Sequence, residues 1–330
     1  MKISVVIPAH NTEATINTTI NSVLSQTVAP YEILVFDDGS TDNTALILES
    51  YKPHVTVFKQ SNKGVAHARN YLCERARGDI IAFLDADDIW HPRYLEVQHR
   101  IIEQYPKAVA YFTDHENLFG CGTYQWKTDP ADILLNSELI SPKTFIARYD
   151  MTPLRFQMSC CCIYKKVLMK LGKEPFLVSV SGADDTYLHN MLPLLGSVVH
   201  TPEPLVAYRI TDSSISANQL KMAFSVVEAF KRLDEHYRRN NNSVLRKAFK
   251  LVFASRRRGY GKFLMGAGSI LDARREFRAS IKITGNPVSI AKSLVLLFLS
   301  YMPAHLQPKW PSSHRKSKSH DHASMKDKPS

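Results

Sequence analysis

The stretch Ile80-Ile81-Ala82-Phe83-Leu84-Asp85-Ala86-Asp87-Asp88 is a hydrophobic run that ends in three carboxylates. Consecutive apolar residues of this kind predict a strand buried on both faces, inside a parallel sheet. The acids then fall at its carboxyl end, and in open α/β sheets that end faces the ligand crevice. Carboxylates packed so closely repel one another unless a hard cation sits among them. The run therefore points to a divalent metal where a phosphorylated ligand docks. Taken alone it reads equally well as an acidic turn leading into the helix that Pro92 begins, and Asp88 suits that helix-entry role.

Upstream, the same layout recurs. Ile3 to Ile7 predicts a short buried strand stopped by Pro8, with Ala9-His10-Asn11 as a loop. Ile16, Ile20, Val23 and Leu24 recur at helical spacing between Glu13 and Gln26. Tyr31 to Phe36 predicts a second strand, ending in Asp37-Asp38-Gly39-Ser40-Thr41-Asp42, where Ser40 or Thr41 can cap a helix running to about Tyr51. Val55 to Phe58 is a third strand. The helix after it carries Arg69 at its middle, runs through Ala76 and is closed by Gly78.

Downstream of the acids, the pattern predicts a helix from Pro92 to about Tyr105 and a strand from Ala108 to Thr113. Such alternation requires right-handed crossovers and a mostly parallel central sheet, a nucleotide-binding α/β layout. The chain has neither G-x-G-x-x-G nor G-x-x-x-x-G-K, so neither a dinucleotide fingerprint nor a P-loop explains it.

Residues 115–157 have weak periodicity with scattered aromatics, among them Tyr124, Trp126 and Phe145, and read as a variable excursion suited to substrate contacts. Met158 to Tyr164 is strand-like, Lys165 to Leu171 is a helix closed by Gly172, and Gly182 to Leu188 opens another helix. Acids in a first turn are favoured by the helix dipole, so by themselves Asp184 and Asp185 read as caps. Leu205 to Ile210 is a strand, and the polar stretch Thr211 to Asn218 marks a boundary. Beyond it the chain is helical: Leu220, Phe224, Val227, Phe230 and Leu233 form a stripe, Leu245 to Phe253 leads into Arg256-Arg257-Arg258, and Ile270–Ile281 and Ser289–Tyr301 follow.

The net charge of +11 over 330 residues conceals two halves of opposite sign. Residues 1–219 carry 19 Lys and Arg against 24 Asp and Glu, whereas residues 220–330 carry 23 against 7. That asymmetry points to an acidic surface or a polyanion as partner of the C-terminal part alone. The last helix, Ser289–Tyr301, is strongly apolar from Leu294 to Leu299; it is too short to span a bilayer and, with Lys292 and the basic residues before it, suits an interface, the bland counterpart being packing against the preceding helices. Cys73, Cys121, Cys160, Cys161 and Cys162 form no C-x-x-C pair and read as reduced and buried. With no signal-like segment at the start, the expected setting is cytoplasmic, peripheral on the cytoplasmic face of the membrane.

Five ordered motifs resemble family 2 glycosyltransferases of the GT-A fold: Val6-Ile7-Pro8-Ala9-His10-Asn11, Asp37 to Asp42, Gly64-Val65-Ala66-His67-Ala68-Arg69-Asn70, Asp85-Ala86-Asp87-Asp88, and Asp184-Asp185-Thr186-Tyr187-Leu188, whose first Asp replaces a family Glu. The resemblance covers roughly residues 1–218. It implies a metal-dependent, inverting glycosyltransferase of the hexosyltransferase type. Its donor would be a nucleotide sugar, a UDP-sugar first, and its acceptor a hydroxyl of a growing glycan or lipid-linked acceptor in surface polysaccharide synthesis. By the same resemblance Pro8, Ala9, His10 and Asp38 would border the base, with His10 stacking and Asp38 accepting from an imide N–H. Arg69 would support the base or phosphate side, Asp85 would face the ribose, and Asp87 would hold Mg²⁺ or Mn²⁺. Asp185 would be the general base. The segment Tyr208 to Ser216 resembles a late family segment that often has His where this chain has Thr211, a place Arg209 could fill.

The expected organisation is a GT-A domain at 1–218, a basic helical extension at 219–302 and a disordered basic tail at 303–330. The partners expected are the donor, the acceptor and an anionic membrane surface met through the C-terminal helices; no nucleic acid is expected. Two other classes compete. A nucleotidyltransferase on a related core calls for a Gly-rich basic grip near the first strand, which Pro8 to Glu13 lacks. A non-catalytic membrane- or nucleic-acid-binding protein using the basic half leaves Asp87 and Asp185 without a purpose.

Overall fold

The computed structural model of the chain describes residues 1–126, 136–151, 156–210 and 218–311. It begins β1 (Ile3–Ala9), α1 (Ile16–Leu24), β2 (Glu32–Asp37), α2 (Thr44–Ser50), β3 (Thr56–Lys59), α3 (Val65–Arg75) and β4 (Ile80–Phe83). β1 lies between β2 and β4 and parallel to both, with Val5 opposite Ile33 on one side and Ala82 on the other; β3 flanks β2. Ile3, Val5 and Ile7 face a core that includes Ile16, Ile20 and Val23 of α1, while Val6 faces Leu72 of α3 on the other side. Alternate residues thus bury in opposite layers, each large side chain contributing about 1.5–3 kcal/mol, which is why these strands are continuously apolar.

Pro8 does not stop β1, which runs through Ala9 with Pro8 opposite Phe36. Ala9 accepts on the β2 side, from the Asp38 N–H, so Pro8 turns its missing donor toward β4, beyond the last β1–β4 pair, Val6 with Phe83. α2 starts later than expected. Neither Ser40 nor Thr41 caps it; the Thr44 N–H donates to Asp42 Oδ1 instead. α3 is closed by Ala76 rather than Gly78. Gly78 is required by crowding, since a Cβ there would stand 2.7 Å from Ser4 Oγ.

Next come β5 (Ile89–Trp90), α4 (Tyr94–Gln104), β6 (Ala110–Phe119), β7 (Glu138–Ile140), α5 (Pro142–Met151), β8 (Cys161–Tyr164), α6 (Lys165–Lys170), α7 (Asp184–Met191) and β9 (Val198–Ile210). The described strands form one sheet in the order β3-β2-β1-β4-β8-β6-β9-β5, with β7 also on β9. β8 is antiparallel to β4 and β6, and β5 and β7 are antiparallel to β9; the remaining strands run one way, giving the mostly parallel sheet expected. The 115–157 excursion contributes the end of β6, β7 and α5.

α8 (Gln219–Arg239), α9 (Ser243–Gly266), α10 (Ile270–Ile283) and α11 (Pro287–Leu299) complete the described chain. Val227, Phe230, Leu233 and Tyr237 of α8 share a core with Phe249 and Phe253 of α9, Ile146 of α5 and Tyr187 and Met191 of α7. Phe224, expected in that stripe, is exposed. Tyr237 stacks on Phe249 at 4.1 Å and donates to the Asn190 carbonyl at 2.8 Å, so the helical part backs directly onto α7. Part of the expected tail is structured: residues 304–306 form a short 3-10 helix and Trp310 packs against Leu264 and Phe277. Residues 312–330, and Thr211 with the rest of 211–217, lie outside the described residues. Among the described residues no helix is long and apolar enough to cross a membrane.

All five cysteines are free, and four are buried; burial pushes the Cys73 and Cys162 thiols up to about 12. Cys121 departs from expectation by standing exposed, on the loop that follows β6.

Candidate active site

The strand order turns back at β1, with β2 on one side and β4 on the other and parallel to it, so the three carboxyl ends lie at one edge of the sheet, the position at which open α/β sheets receive ligands. The loop after β1 is braced to the turn after β2. The Asn11 N–H donates to Ser40 Oγ at 3.0 Å, Asn11 Oδ1 accepts from the Thr41 N–H at 2.8 Å, and the Thr12 N–H donates to Thr44 Oγ1 at 2.8 Å. Gly39 holds the turn at φ +75°, where an added Cβ would lie 2.7 Å from the Asn62 nitrogen. Pro8 and Ala9 are buried in this wall, whereas His10 is exposed at its rim and is met by Asn62 Nδ2 at 3.0 Å.

Asp38 is buried in the same wall, its N–H on the Ala9 carbonyl at 2.8 Å. It accepts from the Gly64 N–H at 2.7 Å, the Lys63 N–H at 2.9 Å and Gln60 Nε2 at 3.2 Å. A carboxylate has about four acceptor positions, so roughly one remains for a ligand.

The acids after β4 divide their work. Asp88 is fully buried, accepting from the Arg209 N–H at 2.8 Å and from Ser159 Oγ at 2.5 Å. Burial first, then the charges of Asp87 and Asp85, push its pKa well above the usual carboxylate range. It is a structural crosslink rather than the helix-entry acid expected, because β5 intervenes before α4. Ser159 Oγ also accepts from the Asp85 N–H at 3.0 Å. Arg209 is buried with its guanidinium on three carbonyls: Asp87 at 2.7 Å, Gly122 at 3.2 Å and Gly120. Its donors clamp the acidic turn to the loop after β6 instead of facing a diphosphate.

Arg69 lies buried between two acids. Its Nη2 donates to Asp85 Oδ1 at 2.5 Å and its Nη1 to Asp184 Oδ2 at 2.7 Å, with its guanidinium 5.6 Å from the Phe176 ring centroid. Burial opposes its charge, but the facing carboxylates outweigh that and raise its pKa. Asp184 is therefore an ion-pair partner rather than a cap. Asp185 follows in the first turn of α7, with Oδ1 accepting from the Thr186 N–H at 2.5 Å. Burial, reinforced by the charge of Asp184, pushes Asp185 up to about 6.

Asp87 is half-buried and pushed up to about 6 by burial and by the charge of Asp85. Among the described residues nothing but its own backbone N–H is given to its carboxylate, so of the three acids it is the uncommitted one. No group of three or more His, Cys, Asp or Glu among the described residues could hold an ion unaided. Such a donor set suits Mg²⁺ or Mn²⁺, which bind through one or two carboxylates with substrate phosphates completing the shell.

The structure thus gathers Asp85, Arg69, Asp184 and Asp185 into one connected group, with Asp87 on the same turn and Asp38 and the Pro8–His10 loop lining the adjacent wall. Sequence reasoning missed Ser159 and the roles of Asp88 and Arg209. The third acid of Asp85-Ala86-Asp87-Asp88 was the one available signal; Ser159 offers none, because its partners are long-range.

Comparison with known proteins agrees with this layout. The family model of glycosyl transferase family 2 matches residues 4–172. The chain is 32% identical over 227 residues, 66% of its length and 81% of the relative's, to WfgD of Escherichia coli, a UDP-Glc:α-D-GlcNAc-diphosphoundecaprenol β-1,3-glucosyltransferase. It is 26% identical over 230 residues to the glycosyltransferase GlyA of Streptococcus pneumoniae, covering 65% of this chain but 31% of that protein. Among solved structures, S. aureus TarS 1–349 in complex with UDP-GlcNAc superposes with a TM-score of 0.66 at 16% identity, covering 91% of this chain and 90% of TarS 1–349. The mannosyltransferase PcManGT of Pyrobaculum calidifontis, with GDP-Man and Mn²⁺, gives 0.58 at 19% identity, covering 92% and 81%. Identities this low speak for the fold, and the sequence matches carry the family. The chain belongs to glycosyl transferase family 2 and is a glycosyltransferase of the GT-A fold.

Proposed function

We propose that this glycosyltransferase is an inverting, metal-dependent hexosyltransferase that moves a sugar from a UDP-sugar to a hydroxyl of a growing glycan or lipid-linked acceptor in surface polysaccharide synthesis. The observation that carries the reading is the Asp85–Arg69–Asp184 bridge, which seats Asp185 beside the acidic turn that ends β4. WfgD, whose name states a UDP-glucose donor and a diphosphoundecaprenol acceptor, supports the donor and acceptor classes.

In this reading the Pro8–His10 loop and Asp38 receive the base, Asp85 the ribose, and Asp87 a Mg²⁺ or Mn²⁺ ion. An ion held there by Asp87 would supply positive charge against the negative charge developing on the leaving diphosphate. Asp185 takes the acceptor proton as the hydroxyl oxygen attacks the anomeric carbon from the face opposite the diphosphate, so configuration inverts. Arg69 holds Asp85 and Asp184 in register. Residues 1–218 form the catalytic unit and 219–302 a basic extension that meets an anionic membrane surface on the cytoplasmic side, where a lipid-linked acceptor is presented.

The test is calorimetry of UDP and GDP with Mn²⁺, paired with slow hydrolysis of UDP- and GDP-sugars. Binding of UDP that Asp87→Asn abolishes is the expected result. No nucleotide binding and no hydrolysis of any donor would overturn the reading.

A further inference from the structure

α11 is built inside out. Its buried residues are the serines Ser289 and Ser293, joined just beyond its end by Ser300. Arg258 Nη1 donates to Ser289 Oγ at 2.9 Å, Ser280 Oγ donates to Ser293 Oγ at 2.8 Å, and Arg274 Nη2 donates to the Ser300 carbonyl at 2.7 Å. At about 100° per residue these serines fall on one stripe, and Leu294, Val295 and Phe298 fall on the opposite side. Leu294, Val295, Val288 and Phe298 are 50, 56, 63 and 67% exposed. A surface helix ordinarily does the reverse, so this face is suited to an apolar partner.

The rest of the chain and its charge select the partner. Residues 312–330 are polar apart from Ala323, Met325 and Pro329 and cannot cover an apolar face. A second copy would bring together two helical regions that each carry 23 Lys and Arg against 7 Asp and Glu over residues 220–330. Cations border the face: Lys292 is exposed on α11, and Arg274 lies 3.7 Å from the Tyr301 ring centroid while Arg278 Nη2 donates to the Tyr301 hydroxyl at 2.7 Å. A helix of 13 residues is about 20 Å long, short of the roughly 30 Å hydrocarbon core, so it fits in the plane of a bilayer rather than across it.

We propose that α11 lies flat on an anionic bilayer, with Val288, Leu294, Val295 and Phe298 in the acyl boundary and the exposed Lys292 and Arg278 toward lipid phosphates. This rests on the membrane-surface part of the proposed function and narrows it to one helix face.

The test is flotation of the whole protein with phosphatidylcholine vesicles, with and without phosphatidylglycerol, for wild type and for V295E/F298E. These side chains are exposed, so the double variant should keep the wild-type melting temperature and UDP-sugar hydrolysis. It should bind the phosphatidylglycerol vesicles about tenfold or more weakly. In Phe298→Trp, emission should shift to the blue on vesicle binding and be quenched by lipids brominated in the acyl chain. If wild type floats and the double variant floats equally, the α11 face is wrong while the membrane reading stands. If wild type floats on neither vesicle, both fail. A wild-type dimer that V295E/F298E dissociates would identify a second copy as the occupant and overturn the proposal.

Discussion

Arg69 Nη1 donates to Asp184 Oδ2 at 2.7 Å across 115 residues of sequence, with both side chains buried. The same guanidinium holds Asp85 at 2.5 Å, so one cation ties the turn after β4 to the start of α7. In the proposed mechanism this contact would set the diphosphate site and the acceptor base relative to each other.

Removing that cation leaves two facing carboxylates without compensation. Arg69→Met should lower stability by about 3–5 kcal/mol, the usual cost of breaking a buried pair from one side, and should weaken UDP binding. Urea unfolding with calorimetry measures both. An unchanged unfolding midpoint would mean the bridge is not what holds α7.

Asp185 must be ionised to act as base. Its carboxyl is pushed up to about 6, so the active form is present above that pH and is lost as pH falls through it. Acceptor transfer should therefore show an acid limb near pH 6. Asp184→Asn should move the limb to lower pH, because the repelling charge is removed. Asp185→Asn should cut transfer by roughly 10²–10⁴-fold while donor binding is kept; loss of donor binding in its place would assign Asp185 to the donor site.

Asp88 accepts from two buried donors, so Asp88→Ala should destabilise by about 2–4 kcal/mol, with Asp88→Asn milder because it keeps an acceptor for the Arg209 N–H. Thermal unfolding reads the difference. Since Arg209 also holds the Asp87 carbonyl, the Ala variant should in addition weaken Mn²⁺-dependent UDP binding.

Of the five thiols only Cys121 is exposed. Native protein should react with one equivalent of an aromatic disulfide reagent, Cys121→Ser should abolish that reaction, and the other four should appear only on unfolding. A second fast thiol in the native protein would contradict the burial of Cys73, Cys160, Cys161 and Cys162.

The alternation of apolar runs and helical stripes through residue 113, and the placing of Asp37, Asp38 and Asp85–Asp88 at strand ends, follow from local periodicity and were legible in the sequence. So were Arg69 and Asp185 as residues of interest, through short ordered motifs. Tertiary structure alone decided the rest. β8 enters antiparallel between β4 and β6, because strand pairing depends on which edges meet rather than on either strand's own pattern. The parts taken by Asp88, Ser159 and Arg209 depend on partners about 70 or more positions away. The apolar character of α11 could be read from its composition, but the direction it faces could not: Arg258, Ser280 and Arg274 draw its serines inward, and buried hydroxyls must be hydrogen-bonded, so the leucine, valine and phenylalanine side is turned out.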